Sequence, residues 1–271
     1  MKFDWYQATC AARPEDVAQV LSHAFPSSEW RPGRACNGYE RGYECASGIL
    51  VHATMQYGGS AMGEGVHVTA TGENAPAASV ALRRGIKHVV TRADAAADFD
   101  GGEGTWEKLF NIGVAVVEEF GLKSCHMGDY LTGLAGRTLY IGAPSSVVRA
   151  RIYEKGKQLQ IKDRQNWVRV ELAAKPKGEA RTRASTLAPA SLYGFSRWSK
   201  MLGHCIGQVD IERFQAGTIR RPDDDERAYR TMVKQYRKVL GRRMEDHGSW
   251  AALGMQLGHD IALLSDDEQV T

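Results

Sequence analysis

No run of about 18 apolar residues, the least a helix needs to cross a bilayer, occurs in this 271-residue sequence. Its first residues, from Met1 to Val17, lack a basic flank followed by an apolar stretch. A cytosolic protein that neither enters a membrane nor is secreted is therefore expected. Cysteine is sparse and odd in number: Cys10, Cys36, Cys45, Cys125 and Cys205 are scattered without the paired short spacing of a zinc site, so reduced thiols are expected. A Gly-x-x-x-x-Gly-Lys-Ser/Thr loop is missing, which removes ATP-driven motor chemistry. So is a Gly-x-Ser-x-Gly elbow. His67-Val68-Thr69 falls short of a His-hydrophobe-His metal pair, and there is no internal repeat or low-complexity tract.

What the sequence does have is a 43% apolar composition, enough for one large domain or one domain with a helical appendage, and a lopsided charge. Residues 137–200 hold fourteen Lys and Arg against four acids, a segment of +10, while the whole chain is only +3. The remainder is thus −7. A concentrated positive field is the footprint of a polyanion binder, because neutralising phosphates releases counterions.

Periodicity predicts a helix from Pro14 to Ala24, and strands over residues 48–57, 65–71, 86–98, 137–142, 147–154 and 167–172. A helix from Thr105 closes at Gly121. The class is α+β: a mixed or antiparallel sheet with flanking helices, without βαβ alternation. The last fifth differs, with an acidic start at residues 223–226 and an apolar stripe of Tyr229, Met232, Val233, Tyr236, Leu240 and Met244. It reads as a long packing or dimerisation helix, then a second helix over Trp250–Leu264 and an acidic frayed tail. Domains are expected at 1–216 and 217–271.

Strand alternation divides residues 147–155 into two faces. Val148, Ala150 and Ile152 look to the core, and Arg149, Arg151, Tyr153 and Lys155 share the other side. A phenol among cations can act as a nucleophile on a phosphodiester that those cations hold. It can equally be an ordinary strand aromatic. Residues 167–172 repeat the pattern, with Arg169 and Glu171 outward, Glu171 being either an ion-pair partner or a ligand for a hard cation. Asp94, Asp98 and Asp100 share one parity. Asp94 and Asp98 lie about 13 Å apart in a regular strand, too far to grip one ion together, so one of them would act with Glu171.

Several blocks in order, Arg92 to Asp98, Gly136 to Ser146, Arg149 to Gln158 and Trp167 to Leu172, resemble the replication initiation factor family, which contains rolling-circle initiators of filamentous phages and staphylococcal-type plasmids. Gly65 to Gly72 is similar to an earlier strand of that family, and Gly194 to Trp198 with Met232 to Trp250 resembles its phage branch. The resemblance implies a sequence-specific binder of double-stranded origin DNA that nicks one strand, stays on the 5′ phosphate through tyrosine and leaves a 3′ hydroxyl for a host polymerase. Carried onto this chain, it makes Tyr153 the nucleophile and Arg151 its phosphate partner beside Lys155. Asp94 or Asp98, together with Glu171, would bind magnesium or manganese. Arg137, Arg149, Lys157, Arg169 and Arg197 would contact DNA, and Tyr140 is the reserve nucleophile. A host helicase is a further implied partner, in the cytoplasm of a bacterial host; a homodimer through the long C-terminal helix is a separate expectation. Family members commonly carry Ser-Arg where Ala143-Pro144 stands here, so one cation is missing. A non-catalytic DNA-binding regulator on the same fold is the rival expectation.

Overall fold

In the computed structural model, which describes residues 1–59, 63–207 and 224–267, the elements run in the order β1 (Lys2–Cys10), α1 (Pro14–Ala24), β2 (Glu29–Gly33), β3 (Arg41–Ser47), β4 (Leu50–Tyr57), β5 (Val66–Thr71), α2 (Ala75–Gly85) and β6 (His88–Phe99). They continue with α3 (Thr105–Phe120), β7 (Ser124–Met127), β8 (Thr138–Ile141), β9 (Val148–Glu154), α4 (Lys155–Gln158), β10 (Val168–Ala174), α5 (Ala180–Ala184) and α6 (Arg197–Cys205). Two more helices follow, α7 (Asp224–His247) and α8 (Trp250–Asp267). The chain divides into two units, Met1–Ile219 and Arg220–Thr271.

The first unit is built on one ten-stranded sheet in the order β2-β3-β4-β5-β1-β6-β10-β9-β8-β7, every pair antiparallel. This is the α+β architecture read from the sequence. One face is apolar: Tyr6, Ala8, Val68, Val90, Ile152, Val170 and Leu172 are buried there beneath α1, α2, α3 and α5. The α3 layer approaches so closely that a Cβ on Gly113 would lie 2.8 Å from side-chain atoms of both Ile152 and Leu139, which explains a glycine inside a helix. The opposite face carries the polar alternates of the same strands.

The periodicity reading leaves out β1, β2, β3, β7, α2, α4, α5 and α6, and two of these show why. β1 lies at the centre of the sheet, between β5 and β6. Its alternation is broken because the pairing with β6 slips between Phe3 and Trp5, so buried positions fall at Phe3, Tyr6, Ala8 and Cys10 instead of every second residue. α2 buries Ala75, Ala78, Ser79 and Leu82, a stripe too small-chained to give a strong apolar signal. The second unit consists of α7 packed on α8, and α8 extends to Asp267, beyond the expected stop at Leu264. Residues 268–271 of the expected tail lie outside the described residues. No helix among the described residues is long and apolar enough to cross a membrane.

Candidate functional site

Cross-strand register lines up the polar face in rows. Trp5, Asp94, Ala173 and Arg149 are successive neighbours on β1, β6, β10 and β9. The next row is Ala96, Glu171, Arg151 and Tyr140, and the third is Asp98, Arg169, Tyr153 and Thr138. Asp94 and Glu171 are therefore diagonal neighbours, roughly 7–8 Å apart along the backbone. Residues remote in sequence meet because antiparallel pairing fixes which side chains stand side by side.

Glu171, 4% exposed, accepts a hydrogen bond from Arg151 Nη2 at 2.8 Å and from the Tyr153 hydroxyl at 3.4 Å. The Tyr153 ring lies under the Arg151 guanidinium, 4.5 Å from its centroid, and the Lys155 ammonium is 5.5 Å away. Strand β9 ends at Glu154, so Lys155 opens the one-turn α4 instead of continuing the strand, yet its ammonium still reaches the ring. Tyr153 is 3% exposed, and burial, reinforced by the Glu171 charge, pushes its phenol well above the ordinary tyrosine value. Burial also lowers the Lys155 ammonium, with Arg169 adding to the effect.

Asp94 is gripped at both oxygens by Arg92, which stacks 4.1 Å from the Trp5 ring centroid. Burial still raises Asp94 to about 6, with the Glu171 charge adding to the rise and Arg92 and Arg151 opposing it. An open cleft of about 370 Å³ collects this chemistry, with Trp5 and Arg92 on one side, Tyr140 and Arg149 on the other, and Asp94 and Glu171 between. Three N–H donors lining it, Trp5 Nε1, Arg149 Nε and Arg151 Nε, are buried without a hydrogen-bond partner. Unpaired buried donors are costly unless an acceptor arrives. Larger hollows beside Asp100 and between α1 and α2 contain no tyrosine.

The expected site residues separate into those the cleft gathers and those used elsewhere. Arg149, Arg151, Tyr140, Asp94 and Glu171 line it. Asp98 does not join Asp94: it is bound by Arg169 through Nε at 2.7 Å and Nη2 at 2.9 Å, and by the Trp167 indole at 2.8 Å, contacts that hold its carboxyl below the usual range against the cost of burial. Arg169, 4% exposed, also pairs with Asp4 at 2.7 Å, so it is an internal cation, not a surface one. Arg137 is likewise tied to Glu154 and Glu107, and Lys157 to Glu154. Arg197 is exposed but begins α6, in the helical layer that packs with α3 on the far side of the sheet from Tyr153. Asp4 and Trp5 were missed with β1. Arg92 was read only as part of a block.

Among the described residues no three His, Cys, Asp or Glu side chains come together as a metal cluster. Two hard carboxylates in a cleft still suit magnesium or manganese, since such ions are commonly held by one or two carboxylates plus waters and substrate phosphates. The donor set that fits is Asp94 with Glu171.

Residues 88–202, from β6 into α6, match the replication initiation factor family. The resemblance read from the sequence holds over this segment, which contains Asp94, Tyr140, Arg149, Arg151, Tyr153 and Glu171. The fold is also similar to that of a rolling-circle replication initiator protein from Geobacillus stearothermophilus, with a TM-score of 0.54 at 20% identity over 78% of this chain and 98% of that one. No curated protein sequence matches the chain. The matched segment thus covers four strands of the cleft, β6, β8, β9 and β10, while Asp4 and Trp5 reach it from outside the matched residues.

Proposed function

We propose that this chain is a rolling-circle replication initiator that nicks one strand of an origin through Tyr153. The observation that carries the reading is the cleft itself, where unpartnered Arg149, Arg151 and Trp5 donors face the same space as two carboxylates, beside a phenol bonded to one of them. An anionic phosphodiester supplies the acceptors those donors lack. Arg149 and Arg151 would hold its non-bridging oxygens and offset the charge that grows on them during attack. The Tyr153 oxygen forms the new bond to phosphorus as the bond from phosphorus to the 3′ oxygen breaks. Its proton passes to the Glu171 carboxylate, the acceptor already in contact, and the departing 3′ oxygen takes a proton from solvent water to become a hydroxyl. Asp94 and Glu171 would hold a magnesium or manganese ion, which when bound neutralises phosphate charge. A host polymerase would then extend the free 3′ hydroxyl, with a host helicase opening the duplex ahead of it.

Burial of Tyr153 requires Arg151 to lift from its ring as the phosphate enters. Arg151 is 34% exposed at its side chain and can swing. Tyr140 offers a second reading, because it lines the cleft directly while Tyr153 does not. Supercoiled origin DNA incubated with magnesium or manganese separates them: nicked circles and a covalent 5′ adduct should vanish in Tyr153→Phe and persist in Tyr140→Phe. The reverse pattern would transfer the role to Tyr140. Origin binding with no cleavage in the parent protein would leave a DNA-binding regulator.

A further inference from the structure

The loop between β7 and β8, residues 128–137, leaves the sheet beside the proposed nucleophile. Strand β8 begins at Thr138, the cross-strand neighbour of Tyr153, and Arg137 is bonded to Glu154, the next residue of β9. The loop is held in one shape. The Asp129 carboxylate accepts the backbone N–H groups of Leu131, Thr132, Leu134 and Ala135 at 2.8–3.4 Å, and the Thr132 hydroxyl as well. The Tyr130 hydroxyl donates to Thr138 O at 3.0 Å while its ring stacks on His126, and Lys157 of α4 donates to the Gly133 carbonyl. On this mount Leu131 is 99% exposed and Leu134 84%.

We propose that the loop is a wedge, inserting Leu131 and Leu134 between the base pairs next to the nicked phosphate and so freeing one strand to reach Tyr153. The inference rests on the nicking reading and adds the step that precedes it. Tyr153 is 3% exposed, and the neighbouring cleft of about 370 Å³ admits a single strand but not a duplex. Paired DNA therefore has to be parted where it meets this end of the sheet. Apolar side chains part base steps in proteins that kink DNA, and burying two leucines against bases returns free energy of the order that unstacking one step consumes. Size selects this occupant over a protein. Two leucines set among Thr132, Gly133, Ala135 and Gly136 offer far less than the roughly 800 Å² per partner of a stable protein interface, yet they suffice for one base step. Charge does not oppose it: Asp129 is the only charged side chain in residues 128–136, and its oxygens are turned to the loop's own N–H groups.

Leu131→Ser with Leu134→Ser removes the wedge without touching Asp129 or the core, and circular dichroism and thermal melting should match the parent. Two substrates are compared with magnesium or manganese present: a supercoiled plasmid carrying the origin, and a single-stranded oligonucleotide spanning the cut site. The variant should cut the oligonucleotide at the parent rate. It should nick the plasmid more slowly by on the order of tenfold or more, since the opening step loses the burial of both leucines. Leu131→Met with Leu134→Met should restore plasmid nicking, because methionine also wedges bases. Permanganate oxidation, read without divalent metal so that no strand is cut, should mark unpaired thymines beside the cut site with the parent and not with the serine variant. Equal slowing on both substrates would place the leucines in strand binding and overturn the proposal. So would plasmid nicking and permanganate reactivity that the serine pair leaves unchanged, with the nicking reading intact. A parent that cuts neither substrate removes the nicking reading itself, and the wedge with it.

Discussion

Replacing Arg169 and Arg149 in turn by methionine tests the division between internal and ligand-facing cations. Arg169 makes three short charge-assisted bonds, at 2.7 Å and 2.9 Å to Asp98 and 2.7 Å to Asp4, with its side chain 4% exposed. Removing one member of a buried ion pair costs roughly 3–5 kcal/mol, mostly through the charge left behind. Asp98 and Asp4 keep 32% and 18% side-chain exposure and can recover some hydration, so the low end, about 3 kcal/mol, is expected. For a unit of this length that lowers Tm by roughly 6–12 °C. Among the described residues Arg149 has no carboxylate partner, and it stacks on Tyr140, 4.2 Å from the ring centroid. Its loss should change stability by about 0.5 kcal/mol or less, since the stack forfeited is weak and an unpaired buried N–H is removed with it. DNA binding should respond in the opposite order. Fluorescence anisotropy with a single-stranded oligonucleotide across a salt series should show Arg149→Met weakening binding and reducing the salt slope by about 1. Urea unfolding of both variants supplies the stability arm. Equal destabilisation by the two substitutions, or an unchanged salt slope for Arg149→Met, would refute the sorting.

Asp94 predicts an inverted pH effect. Its folded value of about 6 lies above the unfolded carboxyl value of 3.8, so between those limits the folded state holds more protons and stability falls as pH rises. Asp94→Asn should therefore stabilise the protein above pH 6, by up to about 3 kcal/mol, and have little effect below pH 4; thermal melts at both ends of that range check it. Gly156 packs so tightly that a Cβ would sit 1.7 Å from the Arg164 carbonyl oxygen, and its N–H donates to Trp167 O. Gly156→Ala must displace backbone, with an expected loss of about 3 kcal/mol by chemical denaturation, and it should also disturb the Lys155 position over Tyr153. Glu154→Gln removes the charge that binds Arg137 and Lys157, and should cost about 2 kcal/mol by the same measurement.

Alternation made β9 and β10 legible from the sequence, because both strands are regular and send their apolar alternates to one face: Val148, Ala150 and Ile152 join the apolar core while Arg149, Arg151 and Tyr153 lie on the opposite face, where Tyr153, Arg169 and Glu171 are buried among polar partners. The α+β class followed from the same periodicities. Which polar side chains meet could not be read, since that depends on register between strands about eighty residues apart, as with Asp94 and Glu171. The Asp4–Trp5 wall was hidden by one slipped pair in β1, which disguises the period that identifies a strand.

The +10 segment illustrates how composition overstates an outward field. Arg137, Arg151, Lys157, Arg164 and Arg169 all form ion pairs, and Asp4, Asp98, Asp100 and Glu107 among their partners come from outside the basic segment. Sequence asymmetry is thus partly cancelled when the acidic N-terminal strands fold against the basic C-terminal ones. In the proposed reading, what leaves Arg149 free for phosphate is not membership in the basic run but the lack of a carboxylate opposite it in the sheet, whereas Arg151 stands opposite Glu171. Arg149 satisfies that condition because its neighbour in the row is Ala173, which can neither neutralise it nor fill the space above. Substituting Ala173 by Glu should therefore quench the cleft: it would pair Arg149, crowd Asp94, and abolish oligonucleotide binding while leaving the sheet intact. If Ala173→Glu bound DNA as well as the parent at moderate salt, the cleft would not be where phosphate sits.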